Sequence, residues 1–360
     1  ATYLAYANIR LAFSGGLLGQ TRIVDANQAF LFAHKDVGFS LYEHHADGSG
    51  VHFSSRHRPI LNFRPKTGTW AFNADTHITA WLDAIGQEFD IVTDEDLHLE
   101  GYEAIEGYRV LITGSHPEYY STSMRNALSD WLAQSGRLMY MGGNGFYWRI
   151  AFCPQNPAII EVRRAEDGTR AWISNPGEYY QQFDGQYGGL WRRLGGAPNE
   201  LVGIGFAAQG FDGGTYYRVR EGSSDPRAAF IVDGVDQTDV WGNFGIQGGG
   251  AAGEEIDRWD ESLGSPLHAL ILATSEDHKV GMLRVKEEFH MMHPLTEDSK
   301  VRADMIFFET PSGGAVFSVG SISYTGSLSH NGYENEIERL TRNVLNRFND
   351  PTPFDYPLSE

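Results

Sequence analysis

Cysteine occurs once in the 360 residues, at Cys153. An internal disulfide and a cysteine-built zinc cluster are thereby excluded, and a reducing, cytoplasmic setting is expected. Lysine is also scarce, at positions 35, 66, 279, 286 and 300 only. With 28 Lys and Arg against 47 Asp and Glu, the formal net charge is -19. Such a surface repels phosphodiesters and anionic lipid, so neither nucleic acid nor membrane is an expected partner. No apolar run is long enough to span a bilayer. The opening residues, ATYLAYANIR, lack a basic stretch followed by an apolar one and lack an initiator Met. Residues 3–7 read as the end of a strand, so a preceding amino-terminal region is expected. Internal repeats, low-complexity tracts, H-E-x-x-H and G-x-S-x-G are all missing. The glycine-rich residues 15–19 lack the Lys-Ser/Thr of a phosphate-binding loop.

What is present is an ordinary globular composition, 41% hydrophobic and 21% charged, in a chain long enough to bury a large core. Helix and strand patterns alternate at short spacing: helix 76–86, strand 89–92, helix 99–105, strand 108–113, helix 122–134, strand 137–141. That alternation predicts an α/β fold with a mostly parallel, doubly wound sheet. Residues 150–265 are rich in Gly, Trp, Tyr and Pro and read as a loop- and β-rich insertion within one domain spanning 1–360. The sheet pattern returns at 268–274 and in a hairpin of 305–309 with 315–319, and 335–348 is an amphipathic helix.

The chemistry concentrates in residues 108–120, YRVLITGSHPEYY. An apolar strand runs into His116, Pro117 and Glu118, and the carboxyl ends of strands are where open α/β sheets bind ligands. A His and a carboxylate there form an acid/base or ligand pair; the bland reading is a helix cap and a carbonyl-bound imidazole. The next strand enters Gly142-Gly143-Asn144-Gly145, the turn where many α/β enzymes seat a nucleophile. Asn144 is no nucleophile but a good donor and acceptor, or simply a left-handed turn residue. Cys153 sits away from that turn. The pattern favours an activated water over a covalent intermediate. Tyr3, Tyr6, Tyr42, His116, Glu118 and Tyr119 lie near strand ends, and their hard oxygens would favour a cation such as Fe(III) over Zn(II). His44 and His45 read as surface loop. Glu254, Glu255 and Asp257, after the glycines of 248–253, read either as a solvated face or as a loop carrying a catalytic carboxylate.

The segments TYLAYANIR, FSLYEHHADGSG, TDEDLHLEGYEAIEGYRVLITGSHPEYYS, GRLMYMGGNGFYWR, EVRRAEDGTRAW and GAVFSVGSISYTGSLSHNGYENEI resemble the carboxyl-terminal catalytic region of the N,N-dimethylformamidase large-subunit family. The resemblance implies a fold like class I glutamine amidotransferases without their cysteine, in keeping with Asn144. It also implies a mononuclear non-haem Fe(III) held by two tyrosines and a glutamate. The glutamate matches Glu118, one tyrosine matches Tyr42, and the other falls on Tyr3, with Tyr6 as the alternative. His116 and Asn144 match residues around the metal, and a further acid falls on Glu254, with Glu255 as the alternative. The implied reaction is hydrolysis of N,N-dimethylformamide to dimethylamine and formate. Implied partners are a small helical subunit and further copies of the large subunit. Two readings compete: a metal-free carbohydrate- or partner-binding module on the same fold, and a zinc or metal-free amidohydrolase acting on a larger amide.

Overall fold

The computed structural model describes residues 1–10, 12–14, 21–23, 26–63, 68, 70–167, 172, 174–236, 238–288 and 298–357. The glycine-rich loop at 15–19 lies outside the described residues. The chain forms two compact units. Unit 1 comprises Ala1–Asn73, Tyr119–Thr122 and Trp148–Leu190; unit 2 comprises Ala74–Glu118, Ser123–Tyr147 and Trp191–Glu360. The segment expected as an insertion, 150–265, is therefore shared, belonging to unit 1 up to Leu190 and to unit 2 beyond it.

Unit 1 carries a sheet in the order Phe53–Ser55, Asn156–Val162, Trp148–Cys153, Tyr119–Ser121, with Gly189–Leu190 also paired to Trp148–Cys153. Only the Tyr119–Ser121 pairing is parallel. Every residue of Trp148–Cys153 except Arg149 is buried, as in a strand covered on both faces. Residues 3–7, expected to end a strand, fall mostly in a short helix, Thr2–Tyr6. Its amides Leu4 and Ala5 both bond to the Ala1 carbonyl, at 2.9 and 3.2 Å. A segment this short holds too few residues for periodicity to separate helix from strand.

Unit 2 is built on a seven-stranded mixed sheet in the order Val240–Trp241, Tyr217–Val219, Leu270–Ser275, Asp304–Glu309, Ala315–Ser318, Arg137–Tyr140, Val110–Ile112. The last three strands are parallel and the rest antiparallel. The sheet thus differs from the mostly parallel one expected. The hairpin expected at 305–309 with 315–319 supplies one antiparallel pair, closed where Thr310 N–H bonds to the Gly314 carbonyl at 2.9 Å, a turn too tight for a crossover helix; Leu270–Ser275, Tyr217–Val219 and Val240–Trp241 continue the sheet antiparallel beyond it. The parallel pair Val110–Ile112 and Arg137–Tyr140 does have a crossover helix, Thr122–Ala133. A second, antiparallel sheet joins Ala252–Arg258, Gly205–Thr215 and Leu283–Arg284. Residues 89–92 are not a strand, and Phe89 and Ile91 are exposed. Thr93 and Asp96 instead form a capping box for helix Asp94–Glu100, which satisfies two orphan amides.

The core of unit 2 packs Trp81, Phe307, Phe317 and Phe348 with the apolar stripe of Ile337, Leu340 and Val344 on helix Glu336–Asn349. Asn335 caps that helix, accepting from Glu338 N–H at 2.9 Å. Its carboxyl end is closed from outside by Arg137. That guanidinium donates to the carbonyls of Phe348 and Thr352, both at 2.7 Å, and to that of Asp350, and it lies over the Phe354 ring at 5.1 Å. No helix among the described residues is long and apolar enough to cross a membrane. Phe317→Ala, which empties a fully buried ring site, is expected to cost about 3–5 kcal/mol. Asn335→Ala is expected to cost about 1 kcal/mol. Both are read from the urea midpoint at unchanged slope.

Candidate functional site

In unit 2 the strand Val110–Ile112 delivers the chain to Ser115, whose N–H and hydroxyl both donate to Asp75 Oδ1, at 2.7 and 2.9 Å. From there residues 115–118 are strapped to the elbow that follows Arg137–Tyr140. Gly143 N–H bonds to the Ser115 carbonyl, Phe146 N–H to that of Pro117 and Tyr147 N–H to that of Glu118, at 3.2, 2.8 and 2.9 Å. Two glycines make this approach possible. A Cβ on Gly142 would lie 2.2 Å from the Ser115 carbonyl oxygen, and one on Gly143 would lie 2.3 Å from that of Glu255. Any side chain there would push the elbow off its neighbours.

The side chains that converge are mostly acids. His116 Nε2 lies 3.0 Å from Glu255 Oε2 and 3.3 Å from Glu118 Oε2. Asn144 donates from Nδ2 to Glu255 Oε2 at 2.9 Å and from its backbone N–H to Asp257 Oδ1 at 2.7 Å. The Tyr140 hydroxyl donates to Asp257 Oδ2 and accepts from Gly145 N–H, each at 2.7 Å. His116, Glu118, Asn144, Glu255 and Asp257 are all buried. Asn144 Oδ1 has no hydrogen-bond partner among the described residues. Asn144, Phe146 and Glu254 hold φ values of 50, 54 and 62°, left-handed conformations that a folded protein keeps only where its surroundings impose them.

Burial by itself would lower the His116 pKa, but the Glu255 and Glu118 carboxylates outweigh it and raise the imidazole to about 9. His116 is thus a cation at neutral pH. Burial raises Asp257 to about 7 against the hydrogen bonds from Tyr140 and Asn144. Burial and then the Glu255 charge raise Glu254 to about 7 as well. These two carboxyls hold or release a proton near neutrality, which suits general acid/base work.

Unit 1 gathers phenols. Tyr42 donates to the Tyr6 hydroxyl at 2.7 Å and shares a 2.6 Å hydrogen bond with that of Tyr119. The Tyr6 and Tyr42 rings stack at 4.6 Å, and Trp70 meets Tyr6 edge-on at 4.6 Å. Tyr3 lies elsewhere, its ring against Phe63 and Phe72 at 5.6 and 5.9 Å. No group of three or more His, Cys, Asp and Glu among the described residues is arranged to hold a metal ion. Phenolate oxygens are hard anionic donors, of the kind that suits Fe(III) better than a soft cation.

Of the residues singled out in the sequence, His116, Glu118 and Asn144 meet in unit 2. There it is Glu255 that touches both His116 and Asn144, while Glu254 Oε2 accepts from Gln247 Nε2 at 3.3 Å. In unit 1, Tyr42 meets Tyr6. His44 and His45 are exposed in the 40–50 loop. Sequence reasoning gave no role to Tyr140, or to the Glu287 carboxylate bound by the Tyr147 hydroxyl at 2.7 Å, and it left Asp257 as one of three acids in a cluster. A polar residue in an apolar stretch was the one signal, as with Tyr140 in RLMYM. Between their unfolded values near about 4 and the folded values of about 7, Glu254 and Asp257 bind more protons in the folded chain. Stability of the metal-free protein should therefore fall as pH rises through that window. Asp257→Asn should flatten the fall, as read from melting temperature against pH.

The arrangement has relatives. The "N,N-dimethylformamidase beta subunit" of Paracoccus aminophilus is 40% identical over 367 residues, covering 98% of this chain. That of an Alcaligenes species is 39% identical over 369 residues, again covering 98%. The chain spans about half the length of these relatives, 48% of each. A family model described as "N,N-dimethylformamidase beta subunit-like, C-terminal" matches residues 1–335. With the match running across both units, the chain belongs to the N,N-dimethylformamidase beta subunit-like, C-terminal family.

Proposed function

We propose that this chain is the catalytic part of an amide hydrolase that cleaves a small N-substituted formamide, N,N-dimethylformamide being the substrate its relatives' names carry. The observation that carries the reading is the buried cluster of His116, Glu118, Asn144 and Glu255 at an elbow that bears an asparagine in place of a nucleophile. Asn144 Oδ1, buried and without a partner among the described residues, is an acceptor suited to orient the attacking water. Glu254, with its carboxyl poised at about 7, takes a proton from that water as its oxygen adds to the formyl carbon. The charge that gathers on the carbonyl oxygen is met by the His116 imidazolium. Glu254 then returns the proton to the amine nitrogen as the C–N bond breaks, giving formate and dimethylamine.

Fe(III) is proposed as the bound Lewis acid, with Glu118, Tyr42 and a second tyrosine as its ligands. When bound it would polarise the amide carbonyl and lower the pKa of a water. Tyr3 is the second ligand by the family resemblance, and the hydrogen bond between Tyr42 and Tyr6 supports Tyr6 in that place. The relatives' naming as beta subunits supports assembly with a partner subunit; a small helical subunit and further copies of this chain are the proposed partners.

The test is a formamide assay on the iron-reconstituted protein with its partner subunit, alongside metal analysis and a visible spectrum. About one iron per chain and a tyrosinate absorption band that is lost in Tyr42→Phe are expected. Glu254→Gln should lower kcat by about 10²–10⁴-fold with the iron retained, and Glu118→Gln should lose the iron. A protein that binds no iron and has no amidase activity after reconstitution would overturn the reading in favour of a binding module.

A further inference from the structure

Arg164 is 1% exposed and carries a charge that burial makes costly unless its surroundings compensate it. Those surroundings are the tyrosine cluster of unit 1. The guanidinium carbon lies 4.5 Å from the centre of the Tyr42 ring, 4.6 Å from that of Trp148 and 5.5 Å from that of Trp172. Nη2 donates to the Leu41 carbonyl at 3.0 Å and to the Tyr119 hydroxyl at 3.3 Å. The Trp172 indole donates to that same carbonyl at 3.0 Å. One cation thus reaches Tyr42 by three routes: over its ring, through the backbone just before it, and through the Tyr119 hydroxyl 2.6 Å from its oxygen. The site is built to admit this layer, since a Cβ on Gly50 would lie 2.1 Å from the Trp172 ring.

We propose that Arg164 is the positioning residue of the tyrosine centre, holding the plane of the Tyr42 ring and setting, by its fixed charge, the energy of the phenolate electrons that Tyr42 presents to a bound ferric ion. This rests on the iron reading above. A positive charge against an aromatic face lowers the filled π levels of that ring, and in a buried setting the effect is little screened. Charge transfer from the phenolate to Fe(III) then takes more energy, and the band lies at shorter wavelength than it would without Arg164. Trp148 and Trp172, packed on the same guanidinium, keep it in place. A lysine would keep the charge but not the planar contact.

The experiment compares the iron-reconstituted wild type with Arg164→Gln and Arg164→Lys, and records near-ultraviolet circular dichroism of the three metal-free proteins. Arg164→Gln is expected to move the tyrosinate band to longer wavelength by tens of nanometres and to weaken the near-ultraviolet tyrosine signal. Arg164→Lys should restore most of the band position and less of the ring signal. If Arg164→Gln does not fold, Tyr119→Phe serves in its place, because it removes the hydroxyl between Arg164 and Tyr42 and spares the packing; the same direction of shift is expected. A wild-type band that stays put in Arg164→Gln and Tyr119→Phe overturns the inference and leaves the iron reading standing. A wild type that takes up no iron overturns both.

Discussion

The structure of unit 2 depends on burying, around the elbow at 142–145, more acid than the one imidazole there can neutralise. Glu118, Glu255 and Asp257 are buried, Glu254 is partly so, and His116 is the cation among them. Buried carboxylates are tolerated only when paired, hydrogen-bonded or protonated, and all three devices are in use. His116 serves Glu118 and Glu255 at once. Asp257 is bound by the Tyr140 hydroxyl and the Asn144 amide. Burial leaves Glu254 and Asp257 able to keep a proton near neutrality. The glycines at 142 and 143, the left-handed Asn144 and the strap of backbone bonds from 115–118 follow from the need to bring these groups together.

Unit 1 solves a related problem with different chemistry. Its oxygens are the phenols of Tyr6, Tyr42 and Tyr119, and its buried cation is Arg164, spread over aromatic faces. In each unit one cation sits against a group of oxygens whose electron-rich form it favours. The two cations are suited to their neighbours. An imidazolium can give up its proton and so take part in acid/base steps, whereas a guanidinium stays charged and can only set the field.

Much of this could be read from the sequence where the signal was local. His116, Glu118 and Asn144 stand at strand ends marked by glycine, and helices Thr122–Ala133 and Glu336–Asn349 follow their periodicity. The hairpin Asp304–Glu309/Ala315–Ser318 is announced by Pro311-Ser-Gly-Gly314. What was not legible is long-range. Tyr140 and Asp257 are 117 residues apart, and neither carries a motif. The choice between Glu254 and Glu255 turns on backbone conformation, the first in a left-handed kink and the second aimed at His116. The direction of the central strands was misjudged because alternation with helices covers only residues 76–141. Beyond residue 265 one tight turn, at 310–314, joins Asp304–Glu309 to Ala315–Ser318.

Arg137 shows what such long-range closure means for a chain that emerges from the ribosome in order. Its guanidinium is buried and bound by carbonyls of residues 348–352, which are made some 210 residues later. Until those residues arrive, the charge has to remain in water, because a guanidinium loses too much hydration to enter an apolar layer without acceptors. The strand that carries it also waits for its neighbour Ala315–Ser318. Unit 2 therefore cannot complete its sheet before residues 348–352 have been made, and the last turn of helix Glu336–Asn349 is its closing piece.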